Sequence, residues 1–217
     1  MRIAGIICVG WKIWQKAHKP FGMNVELMNL SFSNYSERLN KALSAADETT
    51  INVLCESLLN AWKNGSQFFL CGNGGSAGNA VHIANDMIYG IDRETGKGLR
   101  AHALPANTSI ITCLANDEGY EEIFAKQLAV YSSPGDVLLV LSGSGNSPNI
   151  LRALDFANEH GLETFAILGF DGGKAKMSAA HPLHFSIDDM QISEDTQLVV
   201  MHYVMQWLAT KATSHSN

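Results

Sequence analysis

Two stretches of the chain combine glycine and hydroxyl residues in a pattern suited to holding an anion. Residues 66–76, Ser-Gln-Phe-Phe-Leu-Cys-Gly-Asn-Gly-Gly-Ser, form an apolar run that breaks into a glycine-rich turn, after which residues 77–89 follow a helical pattern. Gly72, Gly74 and Gly75 allow tight turns and close approach of a ligand to the main chain. Ser76 is expected to cap the following helix, whose free N–H groups and positive dipole end would face the ligand. Residues 142–147, Ser-Gly-Ser-Gly-Asn-Ser, repeat the pattern. There Ser142, Ser144 and Ser147 bring hydroxyls, Gly143 and Gly145 expose backbone N–H groups, and Pro148 suits the first turn of a helix. Neutral donors at a helix N-terminus can cradle a phosphate without arginine or lysine.

Titratable side chains recur beside these stretches. His82 and Asp86, at i and i+4, share one helix face. Glu194 and His202, eight residues apart in the last helical stretch, come close to sharing another. Two histidines and two carboxylates from two helices could hold a divalent, zinc-like ion or act as a base and acid pair. Spacing alone leaves both readings open, beside a plain hydrogen-bonding role. Gly72-x-Gly74-x-x-Ala77 also fits the looser dinucleotide fingerprint, but no acidic residue closes the second strand to hold a ribose, and a Walker A lysine is absent.

The elements that must position these residues follow from periodicity and turn chemistry. Residues 30–63 read as two helices, with Asp47 capping the second and Asn64-Gly65 ending it. After the first strand and helix, residues 92–98 form a polar surface loop and residues 99–104 a short strand closed by Pro105. Residues 107–115 read as a helix, 116–119 as a turn and 121–131 as a further helix. Residues 137–141, Val-Leu-Leu-Val-Leu, are apolar throughout, as in a strand buried on both faces. Residues 163–168 predict the next strand, 175–180 a short helix, 182–187 a last strand and 193–212 one long helix. Strands alternating with helices imply an α/β fold with a doubly wound parallel sheet, which binds ligands at the carboxyl ends of its strands. The two helices ahead of the first strand exceed what the sheet needs, so they are expected to bury their apolar stripes against another subunit.

Composition bounds the reading. A chain of 217 residues with 46% hydrophobic and 17% charged residues is long enough for one globular domain. A net charge of −6 gives no basic footprint, which argues against direct nucleic-acid binding. Four cysteines, Cys8, Cys55, Cys71 and Cys113, form no CxxC pair and are read as buried thiols in a reducing cytoplasm. The apolar run at residues 3–9 is too short to span a membrane. Residues 1–22 are read as an extension, either an interaction segment or a translation artefact with Met23 as the start, ahead of one domain at 23–217.

Taken together, these motifs resemble the sugar isomerase (SIS) domain family and, within it, the phosphoheptose isomerases. The resemblance spans residues 31–207. It rests on Cys71-Gly-Asn-Gly-Gly-Ser76, His82, Asn116-Asp-x-Gly-Tyr120 with Ile123 and Phe124, the 142–147 hexapeptide and His202. It implies a flavodoxin-like SIS domain, a cytoplasmic homotetramer with active sites between subunits, and conversion of sedoheptulose 7-phosphate to D-glycero-D-manno-heptose 7-phosphate for lipopolysaccharide heptose. By position, Asn73, Gly74, Gly75, Ser76, Asn107, Ser142, Gly143, Ser144, Ser147 and Glu194 would bind the sugar phosphate. His82, Asp86, Glu194 and His202 would hold zinc, one per subunit, with Asp86 as base and His202 as acid across an enediol. The chain departs from the family at Asp86, Glu194 and Asn107, where relatives carry glutamate, glutamine and aspartate. The alternatives are an isomerase of another phosphosugar, or a non-catalytic SIS tetramer that binds a replication-initiator protein.

Overall fold

The computed structural model describes residues 31–93 and 96–213. The 1–22 extension and Cys8 lie outside them. Five parallel strands form one sheet in the order β2-β1-β3-β4-β5. They are β1 (Gln67–Gly72), β2 (Arg100–Ala103), β3 (Val137–Ser142), β4 (Glu163–Leu168) and β5 (His181–His184). Register is set by pairs such as Phe68↔Val137 and Leu139↔Phe165. Every residue of β3 is buried, as its apolar run predicts for the centre of a sheet covered on both sides.

Alternation along each strand feeds two apolar layers. On one face, Phe68, Leu70, Leu139 and Leu141 pack with Leu54 and Leu58 of α2 (Glu48–Asn64), Ile83 of α3 (Gly75–Asn85), and Val204 and Leu208 of α8 (Met190–Thr213). On the other, Phe69, Leu138 and Val140 meet Ile123, Phe124, Leu128, Ile150 and Leu154. The second layer is built from α5 (Ala125–Tyr131), α6 (Pro148–Glu159) and the short α7 (Ala175–Ser178). The winding is therefore double, as expected. Its direction reverses between β1 and β3, so the two glycine-rich loops leave neighbouring strands at the point where such sheets open a crevice.

Helix ends follow local chemistry. The α1 helix (Phe32–Ser44) starts at Ser31, whose hydroxyl accepts from the Asn34 N–H, and α2 starts at Asp47, whose carboxylate accepts from Thr49. Gly65 ends α2 at φ 71°, the left-handed conformation in which glycine is least strained. The α1 helix buries no side chain fully, but Tyr35 donates to Asp195 and Arg38 pairs with Asp189, which ties it to α8. The α4 helix (Thr108–Asp117) runs two residues past its expected end.

Several boundaries differ from expectation. Ser76 is not the cap: Gly74 is, and Ser76 lies inside α3, buried, with its hydroxyl accepting from Gln197 Nε2 at 3.0 Å. Residues 121–131 are not one helix. A 3-10 turn (Tyr120–Glu122) gives way to α5 where Ile123 and Phe124 plunge into the core, each 1% exposed. The last strand ends at His184, and α8 starts at Met190 because the Asp189 carboxylate accepts from the Ile192 N–H. Past α3 the helix widens into a π turn, Asp86–Gly90. Cys113 is exposed rather than buried, whereas burial raises the thiol pKa of Cys71 and pushes that of Cys55 up to about 11.

Candidate active site

The loop after β1 turns at Gly74, with φ 56° and ψ −123°, and runs straight into α3. Gly72 is required by contact: a Cβ there would fall 2.7 Å from the Ser76 backbone. The loop after β3 folds on itself, with the Ser142 hydroxyl accepting from the Gly145 N–H at 3.0 Å. Ser147 caps α6 with its backbone alone, and its hydroxyl makes no capping bond. Pro148 at the first turn contributes no N–H that would need a partner.

These loops face each other across a cavity of about 280 Å³. Asn73, Gly74, Gly75 and Ser76 line one side, and Ser142, Gly143, Ser144 and Ser147 the other, with Glu194 and Met190 of α8 closing the end. All eight loop residues expected to bind an anion are thus in one place. Among the described residues no lysine or arginine lines it. Any phosphate would be met by N–H groups, hydroxyls and the N-termini of α3 and α6.

Glu194 stands over Gly75, where a Cβ would fall 2.3 Å from the Glu194 Oε1. Burial, and secondly the negative charge of Asp195, raise the carboxyl of Glu194 above the usual range. Its backbone carbonyl accepts from Asn79 Nδ2 at 3.0 Å, and the same nitrogen donates to Gln197 Oε1 at 2.9 Å.

A second cluster lies on the same pair of helices. His82 Nε2 and His202 Nε2 are 2.9 Å apart, and each is 3.5 Å from Asp86 Oδ2. The imidazole rings meet edge to face at 83°. The three donor atoms all lie within 4.8 Å of one another. Ligands at zinc bond lengths on a tetrahedron sit roughly 3.3 Å apart, so this set fits a divalent zinc-like ion and leaves a fourth position open. Glu194 does not join that group among the described residues; it belongs to the crevice.

Asn107 is also placed elsewhere. Its Oδ1 caps α4 by accepting from the Ile110 N–H at 3.2 Å, and its side chain lines a separate hollow beside β2, with Gln127 and Tyr131. Two residues that spacing did not single out do reach the crevice loops. Asn149 and Asn73 exchange side-chain hydrogen bonds of 2.9 and 2.8 Å, and the Tyr120 hydroxyl donates to Asn73 Oδ1 at 3.0 Å. Tyr120 stands in the Asn116-Asp-x-Gly-Tyr120 motif, and the only signal for Asn149 was a polar residue on the apolar face of α6.

Comparison with known proteins agrees with this fold. The family model described as the SIS domain matches residues 31–169. A phosphoheptose isomerase of Chlorobaculum parvum is 41% identical over 146 residues, covering 67% of this chain and 70% of that protein. One from Helicobacter pylori strain P12 is 36% identical over 182 residues, covering 82% of this chain and 91% of its own length. Among solved structures, phosphoheptose isomerase from Neisseria gonorrhoeae superposes with a TM-score of 0.75 at 29% identity, covering 82% of this chain and 95% of that one. The Francisella tularensis enzyme gives a TM-score of 0.75 at 25% identity, covering 82% and 94%. With the fold and the family match in agreement, the chain belongs to the SIS domain family.

Proposed function

We propose that this protein is a phosphosugar aldose–ketose isomerase of the phosphoheptose type, interconverting sedoheptulose 7-phosphate and D-glycero-D-manno-heptose 7-phosphate. The observation that carries the reading is the meeting of two donor loops in one crevice, with the His82, Asp86 and His202 cluster on the helices that flank it. The named relatives and structural neighbours support it. A non-catalytic scaffold has no use for such a cluster.

In this reading the phosphate rests on Ser142, Ser144 and Ser147 and the N-terminus of α6, and the sugar chain passes Asn73, Gly74 and Gly75. Isomerisation removes a proton from C1 of the open-chain ketose while the C2 oxygen gains one, giving an enediol. Return of a proton to C2 and loss of one from the C1 oxygen complete the aldose. Each step needs a base and an acid. Asp86 is the base: its Oδ2 faces the imidazoles, which leaves Oδ1, 3.3 Å from Asn85 Nδ2, to exchange the proton. His202 is the acid. A zinc ion held by His82, Asp86 and His202 would supply Lewis-acid polarisation of the sugar oxygens, and Glu194 closes the end of the crevice. We read the assembly as a cytoplasmic homotetramer of one SIS domain per chain, without nucleic-acid or membrane partners. No helix among the described residues is long and apolar enough to cross a membrane.

Purified protein incubated with sedoheptulose 7-phosphate should show aldose signals by NMR. Activity should fall on chelation and return with zinc. Absence of turnover with and without added zinc overturns the heptose assignment. In the active enzyme, His202→Ala should lower kcat by about 10²- to 10⁴-fold, the usual contribution of a positioned acid, and should lower the zinc content.

A further inference from the structure

Asn73 sits at the tip of the first crevice loop, between two glycines that provide no side-chain anchorage. Its amide is nevertheless fixed on three sides. Asn73 Nδ2 donates to Asn149 Oδ1, Asn149 Nδ2 donates back to Asn73 Oδ1, and the Tyr120 hydroxyl donates to the same Oδ1. Asn149 is 1% exposed and belongs to the first turn of α6, the helix whose N-terminus carries the second crevice loop. Tyr120 comes from a third element, the 3-10 turn Tyr120–Glu122.

We propose that Asn149 and Tyr120 are positioning residues that clamp the two anion-binding loops at a fixed separation and fix the Asn73 amide toward the bound sugar phosphate. This rests on the phosphosugar reading of the crevice. Three features support it. The reciprocal amide pair is the direct side-chain bridge from the β1 loop to α6, so the width of the cradle depends on it. Two donors saturate Asn73 Oδ1, and one of the two Nδ2 hydrogens is spent on Asn149, which leaves a single N–H for a ligand oxygen. A buried asparagine whose amide is matched by one partner costs little in place and much when that partner is removed. Neither residue is asked to touch the reacting carbons. Their effect is to order the crevice before the ligand arrives, so that less freedom is lost on binding.

The test compares Tyr120→Phe and Asn149→Asp with Thr164→Val as a control. Thr164, on β4, is fully buried and its hydroxyl donates to Asn158 at the far end of α6 from the crevice, so its loss destabilises the protein without touching the loops. The probes are inorganic phosphate, by calorimetry, and sedoheptulose 7-phosphate, by turnover. Tyr120→Phe removes one neutral hydrogen bond and should weaken phosphate binding and raise KM by about two- to tenfold. Asn149→Asp replaces a donor with an oxygen facing Asn73 Oδ1 and should do so by more than about tenfold. In both variants kcat should change by less than about threefold and zinc content should be unchanged, and Thr164→Val should leave the phosphate affinity alone. Phosphate affinity and KM equal to wild type in Tyr120→Phe overturn the clamp, since that ring is 54% exposed and the variant will fold. A loss confined to kcat, or an equal effect in Thr164→Val, overturns it as well. If the wild type binds phosphate but does not turn over the heptose, the substrate assignment fails while the affinity comparison still judges the clamp. If it binds no phosphate, the clamp and the cradle fail together.

Discussion

Glu194 is the residue whose chemistry most shapes the crevice. Its carboxylate stands against Gly75 at the end of the crevice where an anion would sit, and burial, then the charge of Asp195, raises its pKa. The folded state therefore holds this proton to a higher pH than the unfolded chain does. Stability contributed by the neutral form is present below the ordinary carboxylate range and is lost as pH rises through the folded value. Glu194→Gln is accordingly expected to raise Tm at neutral pH, to match wild type near pH 4, and to bind inorganic phosphate more tightly at neutral pH. Thermal melts across pH measure the first two effects and calorimetry the third. At this scale the sequence was informative where one helix holds both partners. His82 and Asp86 meet because i and i+4 residues must. It was uninformative where the partners lie far apart in the chain: Asn73 and Asn149 are 76 residues apart, and Asn73 and Tyr120 are 47 apart. The displacement of Glu194 from the His82 cluster likewise depends on how α3 and α8 pack, which spacing along α8 alone does not specify.

Elements were more legible than residues. Apolar runs bounded by glycine, proline and aspartate mark strands and caps by local physics, so β1, β3, β4 and the Asp47 cap fall where periodicity places them. Errors arose where tertiary contacts decide. Ser76 has the composition of a cap, yet Gln197 claims its hydroxyl from α8. The second crevice loop depends on its neighbour in the same way. Gly145 adopts φ +64°, and a Cβ there would fall 2.0 Å from the Gly172 carbonyl oxygen, while its own carbonyl accepts from the Ala175 N–H. Gly145→Ala is thus expected to cost about 1–3 kcal/mol in urea unfolding and to raise KM, because the loop must shift to relieve the contact. An unchanged urea midpoint would show that the two loops do not lean on each other as described.

Across the described residues, apolar side chains stand exposed where a lone chain has no reason to leave them. Ile88 and Tyr203 are about half exposed on α8 and the turn beside the His82 cluster, and α1 presents an amphipathic face without fully buried residues. Patches of this kind usually mark an interface. A mass near four subunits is expected by light scattering, and Ile88→Asp or Tyr203→Asp should reduce it. A monomeric wild type at micromolar concentration would contradict the assembly. The sheet offers no alternative route. Its edge strands, β2 and β5, have four residues each, and Pro182 removes one N–H from β5, so extension from strand to strand across copies is disfavoured.

The π turn at Asp86–Gly90 bears on how this region tolerates changes in length. A π turn holds one residue more than the α-helical turn it replaces. It is held open by the returning chain: the Leu99 N–H donates to the Met87 carbonyl, and Gly98 passes so close to Ile88 that a Cβ would fall 1.7 Å from its carbonyl oxygen. A one-residue deletion inside the turn after Asp86 is expected to let the helix close to α geometry while His82, Ile83 and Asp86 keep their places. The same deletion one turn earlier rotates every later side chain by about 100° and carries Asp86 away from both imidazoles. The rim of the cluster can thus lose a residue, and the helix carrying His82 cannot.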